Sequence, residues 1–223
     1  MRRIFTAIAI VLACSSIASA TTVFSNGFET GDLSGWGENT GAVLQTSEVH
    51  EGRYALKMTA VDGEGQYLYS PDTLDLSSAY ARFYLYVDSA ATKGFVGAFV
   101  MGPAEARLYF DGVGDVSLGV WNGFANYQVG GWTPLTPRTW YMVEIKTVVS
   151  PKEGVIEEKL NGAVIATGAN LDTGIDKVTF ISPENYTRAD TPVVDIFEDD
   201  FAVSDDAYLG APEPDSASTP APK

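Results

Sequence analysis

The chain has 223 residues, a single cysteine and a formal net charge of −15 at pH 7. A surface this acidic repels nucleic-acid phosphates and anionic lipid heads, so we expect no nucleic-acid partner. One cysteine cannot form an internal disulfide framework or a thiolate metal site, so the fold must depend on its core or on an ion held by oxygen ligands.

The first twenty residues have the pattern of a secretory signal peptide. Arg2 and Arg3 are basic, residues 4–14 are almost wholly apolar, and residues 18–20 (Ala-Ser-Ala) give the small-x-small pattern of a cleavage site. The apolar stretch is too short for a membrane span. We therefore predict a signal peptide over residues 1–20 and a secreted chain that is extracellular or periplasmic.

Two other export signals are alternatives. Val11-Leu12-Ala13-Cys14 resembles a bacterial lipobox, which would end the signal at residue 13 and make Cys14 the lipid anchor of an outer-membrane lipoprotein. Arg2-Arg3-Ile4-Phe5 resembles the core of a twin-arginine signal. All three possibilities place the mature protein outside the cytoplasm.

After residue 20, short segments of alternating hydrophobicity recur between Gly, Pro, Asp and Asn. In residues 80–87, four apolar side chains alternate with three tyrosines and Arg82, which indicates a strand with one core face and one aromatic-polar face. The pattern predicts strands near 42–46, 53–59, 66–70, 80–87, 94–101, 106–111, 115–122, 140–149, 154–161, 163–167, 176–182 and 193–204.

Evenly spaced short strands predict an all-β fold, an antiparallel two-sheet jelly-roll sandwich that forms a single domain over residues 21–210. Asn161-Gly162 can take positive φ at both turn positions and predicts a two-residue hairpin. Residues 211–223 are rich in Pro, Ala and Ser and lack large apolar side chains, so we predict a disordered tail.

Several segments resemble the concanavalin A-like, or laminin G-like, jelly-roll superfamily. Residues 28–36 (Phe-Glu-Thr-Gly-Asp-Leu-Ser-Gly-Trp) are similar to its first-strand signature, and residues 52–57 to its second-strand entry. Trp140-Tyr141, the 160–162 hairpin and residues 198–204 resemble its C-terminal half. The superfamily includes lectins, glycan-binding modules, polysaccharide lyases and glucanases, so the resemblance implies an architecture more than an activity.

The chain has no complete catalytic motif. The laminarinase-type glucanases of this superfamily use Glu-x-Asp-x-x-Glu on one strand, but Val193 stands at the nucleophile position here. Asp195 and Glu198 are three residues apart and should face opposite sides of the strand unless a bulge intervenes. The jelly-roll alginate lyases usually need His and Tyr, and the only histidine, His50, is predicted to be an exposed loop residue. We expect no catalysis.

An oxygen-ligated Ca²⁺ is predicted where the terminal strands of the jelly roll pair. Glu29 and Gly31 in the first turn and Asp200 on the last strand would come together there, and similar jelly rolls carry a structural Ca²⁺ in this kind of place. Two acids brought together without a cation would repel each other. The alternative is that these acids simply face solvent.

The polar faces of three predicted strands carry aromatic rings with hydrogen-bonding tips. Rings stack on the C–H faces of sugars, so these residues predict a glycan groove if their strands are neighbours. Alternatively the rings are structural and pack under loops such as 130–134. The predicted ligand-binding residues are Tyr84, Tyr86, Arg107, Tyr109 and Trp121.

The function predicted from the sequence is therefore non-catalytic binding of a polysaccharide or cell-surface glycan. A polysaccharide lyase or glycoside hydrolase that uses an atypical carboxylate or tyrosine is one alternative. The other is a structural or adhesion protein of the cell envelope.

Overall fold

The computed structural model describes residues 20–60, 63–71, 74–101, 104–123, 125–187 and 194–212. The predicted signal peptide up to residue 19, with its lipobox, and the predicted tail from residue 213 lie outside the described residues. Val193 of the incomplete glucanase motif also lies outside them.

The described chain forms fifteen β-strands. They are β1 (Thr22–Asn26), β2 (Val43–Gln45), β3 (Ala55–Ala60), β4 (Gly65–Tyr67), β5 (Ser78–Val87), β6 (Lys93–Met101), β7 (Ala104–Asp111), β8 (Asp115–Trp121), β9 (Asn126–Pro134), β10 (Trp140–Val148), β11 (Gly154–Leu160), β12 (Ala163–Leu171), β13 (Phe180–Ile181), β14 (Glu184–Thr187) and β15 (Val194–Ser204).

The strands make two antiparallel sheets. The eight-stranded sheet has the order β12-β11-β10-β5-β15-β3-β2, with β1 paired to β15. The seven-stranded sheet has the order β4-β14-β6-β7-β8-β9, with β13 paired to β6. The predicted all-β two-sheet sandwich is therefore confirmed, and strands that are distant in sequence lie side by side in both sheets.

The core lies between the two inner faces and follows the alternation of each strand. Phe83 and Leu85 of β5 face inward from the eight-stranded sheet, while Leu108 of β7 and Leu118 of β8 face inward from the seven-stranded sheet. All four side chains are fully buried. Because successive strand residues point to opposite faces, the intervening polar and aromatic residues lie on the outer faces.

The first turn of the domain closes one part of this core. Phe28 is fully buried and its ring stacks on Trp36, with 5.6 Å between ring centroids. Trp36 also contacts Phe201 edge-on at 5.7 Å, and β1 pairs with β15 beside it. The sequence signature at 28–36 thus supplies two aromatic anchors that hold the N-terminal segment against the last strand.

The turn predicted at Asn161-Gly162 is confirmed. Leu160 pairs with Ala163, and the two residues between them have φ values of 49° and 80°. This backbone matches the right-handed twist of the flanking strands, which explains why the local pattern was sufficient for this prediction.

Other local predictions were wrong. Residues 130–134, considered as a loop, belong to strand β9, where Gly130 has a φ of 78° and the pairing register with β8 shifts nearby. Glycine allows this irregularity within a strand, so the Gly-Gly pair marks a bulge here. Strands β1, β9 and β14 were not predicted, and only the end of the predicted strand at 176–182 forms β13.

Among the described residues, no helix has the length and hydropathy needed to cross a bilayer.

Candidate functional site

An aromatic trough runs across the outer face of the seven-stranded sheet. One cavity of about 460 Å³ is lined by Tyr67, Tyr69, Phe95, Arg107, Trp121 and Tyr186, among others. A second cavity of about 390 Å³ is lined by residues that include Lys93, Asp111, Gln128 and Trp132. Gly94, Tyr109 and Asn126 line both cavities. The two cavities are therefore adjoining parts of one surface, which we call the aromatic trough.

Glycines on the outer face of the sheet make room for the groups that line the trough. A Cβ added at Gly65 would lie 2.8 Å from the Tyr186 ring, and one at Gly119 would lie 2.5 Å from the Tyr109 ring. A Cβ at Gly97 would lie 2.9 Å from the carboxyl carbon of Glu184. Because these positions lack side chains, the two rings and the carboxyl group can lie close against the sheet.

The aromatic rings form connected stacks along the trough. The ring centroids of Tyr67 and Tyr69 are 4.6 Å apart, and those of Phe95 and Tyr186 are 5.1 Å apart, both in stacked geometry. Phe95 also contacts Tyr109 at 6.1 Å. The Tyr109 hydroxyl donates to Oδ1 of Asn126 at 2.6 Å. Side chains held by several neighbours lose little further entropy when a ligand binds.

Arg107 lines the larger cavity of the trough and lies against two aromatic rings. Its guanidinium carbon is 3.8 Å from the Phe95 ring centroid and 4.7 Å from that of Trp121. Its Nε donates to Oε2 of Glu105 at 2.6 Å, and its Nη2 contacts the same oxygen. The arginine is thus fixed by stacking and by an ion pair at once.

Glu184 of β14 is a nearly buried carboxyl group in the wall of the trough. Its side chain is 8% exposed, and its Oε1 accepts a hydrogen bond from the Ser182 hydroxyl. Burial, and secondarily the Glu105 carboxylate, raises the pKa of Glu184 to about 7, against the opposing effects of Ser182 and Arg107. The raised pKa favours the protonated form of this carboxyl group closer to neutral pH than for an ordinary glutamate.

The structure brings together three of the five predicted ligand-binding residues. Arg107, Tyr109 and Trp121 lie on the same face of β7 and β8 and line the trough. Tyr84 and Tyr86 belong to β5 in the other sheet. The expectation that all five share one wall is wrong, because β5 pairs with β10 and β15 and not with β7 or β8.

Tyr84 and Tyr86 lie on the outer face of the eight-stranded sheet and are largely covered. Tyr84 is 8% exposed and stacks on His50, with 3.4 Å between ring centroids. Tyr86 is 7% exposed and contacts Trp140 and Phe197 at 5.4 Å each. Rings enclosed in this way have little surface to offer a glycan.

The C-terminal segment covers more of the same outer face. The Gly210 amide donates to Oε1 of Glu144 at 2.8 Å, and Arg82 donates to the Gly210 carbonyl at 3.1 Å. Nζ of Lys159 lies 3.3 Å from the Tyr208 ring centroid. The open aromatic surface is therefore on the seven-stranded sheet.

The predicted metal ligands Glu29, Gly31 and Asp200 each make different contacts in the structure. The Glu29 carboxylate accepts hydrogen bonds from the backbone amides of Arg53 at 2.9 Å and Tyr54 at 3.0 Å, so it fixes the turn before β3. The Gly31 amide donates to the Phe28 carbonyl at 2.9 Å. Asp200 lies beside the first turn, because a Cβ at Gly27 would be 3.2 Å from its Oδ1.

Asp200 belongs to a cluster that the sequence did not predict. Ligand atoms of His50, Glu51 and Asp200 lie within 4.8 Å of one another. Nδ1 of His50 is 2.7 Å from Oδ2 of Asp200, so the predicted exposed loop histidine is in fact partly buried and paired. Asp200 and Glu51 supply carboxylate oxygens of the kind that Ca²⁺ prefers, whereas imidazole is a poor Ca²⁺ ligand. These side chains offer two carboxylates, whereas Ca²⁺ takes six to eight oxygens, so backbone carbonyls or waters would have to supply the rest.

Asp195 and Glu198 face opposite sides of β15, as their spacing predicted. Oδ2 of Asp195 is 2.8 Å from Nζ of Lys57 on the outer face. Glu198 is fully buried, and among the described residues neither of its carboxyl oxygens has a hydrogen-bond partner. A carboxyl group enclosed in the core cannot contact a polysaccharide, so these two residues do not form a glucanase pair.

Several trough residues were missed by the sequence analysis. Glu184 and Tyr186 lie in a short polar segment, Pro183 to Thr187, that gave no strand signal. Tyr67 and Tyr69 are two residues apart in a predicted strand, so both rings should face the same side of the sheet. This pattern could have identified them as part of an aromatic surface. Phe95 stacks with both Tyr186 and Arg107, which only the sheet order reveals.

No protein-family model and no curated protein matches this chain. Solved structures share its fold at low sequence identity. A carbohydrate esterase from the Shiga toxin-encoding bacteriophage phi24B is similar with a TM-score of 0.61 and 16% identity, over 85% of this chain and 100% of that one.

Two further structures are similar to the same extent. An endo-β-1,4-glucuronan lyase from the fungus Trichoderma reesei has a TM-score of 0.59 and 14% identity, over 82% of this chain and 95% of that one. Domain 4 of an extracellular GH43 arabinanase from Geobacillus stearothermophilus, in complex with arabinotriose, has a TM-score of 0.58 and 14% identity, over 84% of this chain and 93% of that one. At these identities the similarity shows the fold alone.

Proposed function

We propose that the protein binds glycans non-covalently through the aromatic trough. The observation that carries this proposal is the open group of aromatic rings on the seven-stranded sheet, with Arg107 fixed against two of them. Flat rings suit the C–H faces of pyranoses, while the Arg107 and Asn126 side chains offer polar groups that can orient hydroxyls.

The structural neighbours support a carbohydrate ligand. They are a glucuronan lyase, a carbohydrate esterase and an arabinanase domain in complex with arabinotriose. An open trough encloses less of a ligand than a deep pocket does, so we expect weak binding at each site.

Removing a ring from the trough should weaken binding. We expect Tyr186→Ala and Trp121→Ala each to weaken oligosaccharide binding about fivefold to tenfold, since each removes one stacking surface. The matched control is Tyr80→Ala, which removes a tyrosine from the outer face of the other sheet. Calorimetric titration of a glycan selected on an array measures the change. Unchanged affinity in both trough variants, with the fold intact, would reject the site.

A lyase or hydrolase is a second candidate function, favoured by Glu184. A carboxyl group with a pKa of about 7 in a ligand trough can donate or accept a proton at neutral pH. Release of reducing ends or unsaturated uronates from a polysaccharide panel, abolished by Glu184→Gln, would establish this activity. Binding without any product would favour the non-catalytic function.

We also propose export with cleavage after Ala20. The backbone nitrogen and the hydroxyl of Thr21 each donate to the Asp206 carboxylate at 3.0 Å. Cleavage there would turn this nitrogen into an ammonium group that faces the carboxylate. Intact mass of the exported protein distinguishes a chain that begins at Thr21 from one with a lipid on Cys14, and a lipidated chain would overturn the proposal.

A further inference from the structure

We infer that the aromatic trough selects uncharged glycans over polyuronates. This inference rests on the proposed glycan-binding function and names the class of ligand. It separates this chain from the glucuronan lyase that shares its fold, whose substrate carries a carboxylate on each sugar unit.

Arg107, a cation that lines the trough, is already neutralised by an ion pair. Both Nε and Nη2 of Arg107 contact Oε2 of Glu105, and the two side chains are only 11% and 15% exposed. A uronate that approached Arg107 would have to compete with a carboxylate that is covalently tethered two residues away. The guanidinium also lies against the Phe95 and Trp121 rings, which hold it in place beside Glu105.

The other charged groups in and beside the trough do not favour an anion either. Glu184 forms part of the wall, and Oε1 of Glu38 accepts a hydrogen bond from the Tyr67 hydroxyl at 2.6 Å. Among the residues that the structure describes, Lys93 is the other cation that lines the trough, and it lies directly opposite Asp111 in the β6–β7 ladder. Whether Glu184 is charged or neutral, it supplies no positive charge for a uronate.

The net negative charge of the whole molecule also disfavours anionic glycans. With a formal charge of −15, the chain repels a polyanion before any contact forms. A neutral sugar meets no such barrier and can stack on the rings. One like-charge contact at the distance of neighbouring strands weakens binding by about tenfold in a partly wet site.

Matched oligosaccharide pairs test the inference directly. Gluco-oligosaccharides with β-1,4 links differ from glucurono-oligosaccharides of the same length only at C6, and manno- and mannurono-oligosaccharides form a second pair. We expect the neutral member of each bound pair to bind at least about tenfold more tightly at low salt, and this preference to shrink at roughly 0.5 M salt. Equal or tighter binding of the uronate member would overturn the inference while leaving glycan binding intact.

A result that rejects glycan binding by the trough can be distinguished from one that rejects only the preference for uncharged glycans. If no neutral or charged glycan binds, the proposed function falls, and this inference falls with it. Binding that Tyr186→Ala and Trp121→Ala leave unchanged would likewise place the glycan elsewhere on the protein.

A charge variant distinguishes the trough from the general acidity of the chain. Glu105→Gln removes the partner of Arg107, and we expect it to raise the uronate-to-neutral affinity ratio about tenfold. Glu153→Gln removes the same charge from an exposed turn before β11 and should leave the ratio unchanged. If both variants change the ratio equally, net charge and not the trough sets the preference. Should Glu105→Gln fail to fold, Glu184→Gln removes a carboxyl group from the wall of the trough instead. We expect it to raise the ratio at about pH 9, where the wild-type carboxyl group is ionised, and an unchanged ratio would count against the inference.

Discussion

Glu158, Glu184 and Glu198 are carboxyl groups with almost no exposure, but their surroundings differ. Glu184 accepts a hydrogen bond and lines the trough. Glu158 and Glu198 face the interior of the sandwich, and among the described residues their oxygens have no hydrogen-bond partners. Burial raises the pKa of Glu158 to about 8 and that of Glu198 well above its usual range. Buried carboxyls without partners reduce stability whenever they would ionise in the unfolded chain.

The folded protein should therefore lose stability as the pH rises. Between the ordinary pKa of 4.5 and the folded pKa of about 8, the unfolded chain releases the Glu158 proton while the folded chain keeps it. The cost from this one group is on the order of 3 kcal/mol at pH 7, and it vanishes below the unfolded pKa.

Glu158→Gln should remove this part of the pH dependence. We expect a urea midpoint close to that of the wild type at about pH 4 and a clearly higher one at about pH 7.5, because glutamine cannot ionise in the unfolded state. Glu153→Gln, in an exposed turn, should follow the wild-type profile at both pH values. Parallel profiles for Glu158→Gln and the wild type would contradict the assignment.

At the scale of elements, the trough depends on how four neighbouring strands present their outer faces. β14, β6, β7 and β8 are consecutive in the seven-stranded sheet. Gly97 of β6 lies next to Arg107 of β7, and Gly119 of β8 lies on the other side of the same arginine. Two glycines that flank one long side chain leave space for Glu184 and Tyr109 to lie over the sheet.

Filling one of these spaces should disturb both stability and binding. A Cβ at Gly119 would lie 2.5 Å from Cε2 of Tyr109 and 2.7 Å from the Tyr127 carbonyl oxygen. We expect Gly119→Ala to lower the free energy of unfolding by about 1–3 kcal/mol and to weaken glycan binding, since the Tyr109 ring must move.

Gly131 of β9 provides the matched control for this substitution. No heavy atom would lie within 4 Å of a Cβ there, outside the neighbouring residues. Gly131→Ala should change the free energy of unfolding by less than about 0.5 kcal/mol. Denaturant unfolding and glycan titration of both variants check the difference, and equal effects would mean that crowding at Gly119 is not the cause.

At the scale of the whole molecule, the two outer faces differ in how much of their surface is open. The eight-stranded sheet is covered by the His50 loop and by the C-terminal segment around Tyr208, whereas the seven-stranded sheet carries the open trough. The covered side also holds the cluster of His50, Glu51 and Asp200. The contacts of this cluster connect the first turn, the loop before β3 and the last strand. An ion bound to the cluster would therefore link segments that are distant in sequence.

We propose that Ca²⁺ binds this cluster through Asp200 and Glu51. A ligand that binds only the folded state raises the unfolding midpoint by mass action, so added Ca²⁺ should raise the melting temperature and a chelator should lower it. Asp200→Asn should remove this response, while Asp195→Asn, on the same strand, should keep it. A wild-type melting temperature that is insensitive to Ca²⁺ and to chelator would reject the ion.

The amino-acid sequence by itself determined where most of the strands lie and which face of each of these strands is buried. Alternation assigned Phe83, Leu85, Leu108 and Leu118 to the core, because side-chain direction follows from the local backbone. The Asn161-Gly162 hairpin was likewise predictable, since two adjacent residues define its geometry.

Only the tertiary structure decided which strands are neighbours. Tyr84 and Tyr109 both alternate with core residues in their strands and were both predicted to face outward. Tyr84 is covered on the eight-stranded sheet, whereas Tyr109 lines the trough. Glu184 and Tyr186 enter the site from a segment about eighty residues beyond Arg107, through the pairing of β14 with β6. A local pattern specifies the face of a strand but not its partner, because pairing depends on long-range contacts that form across the whole core.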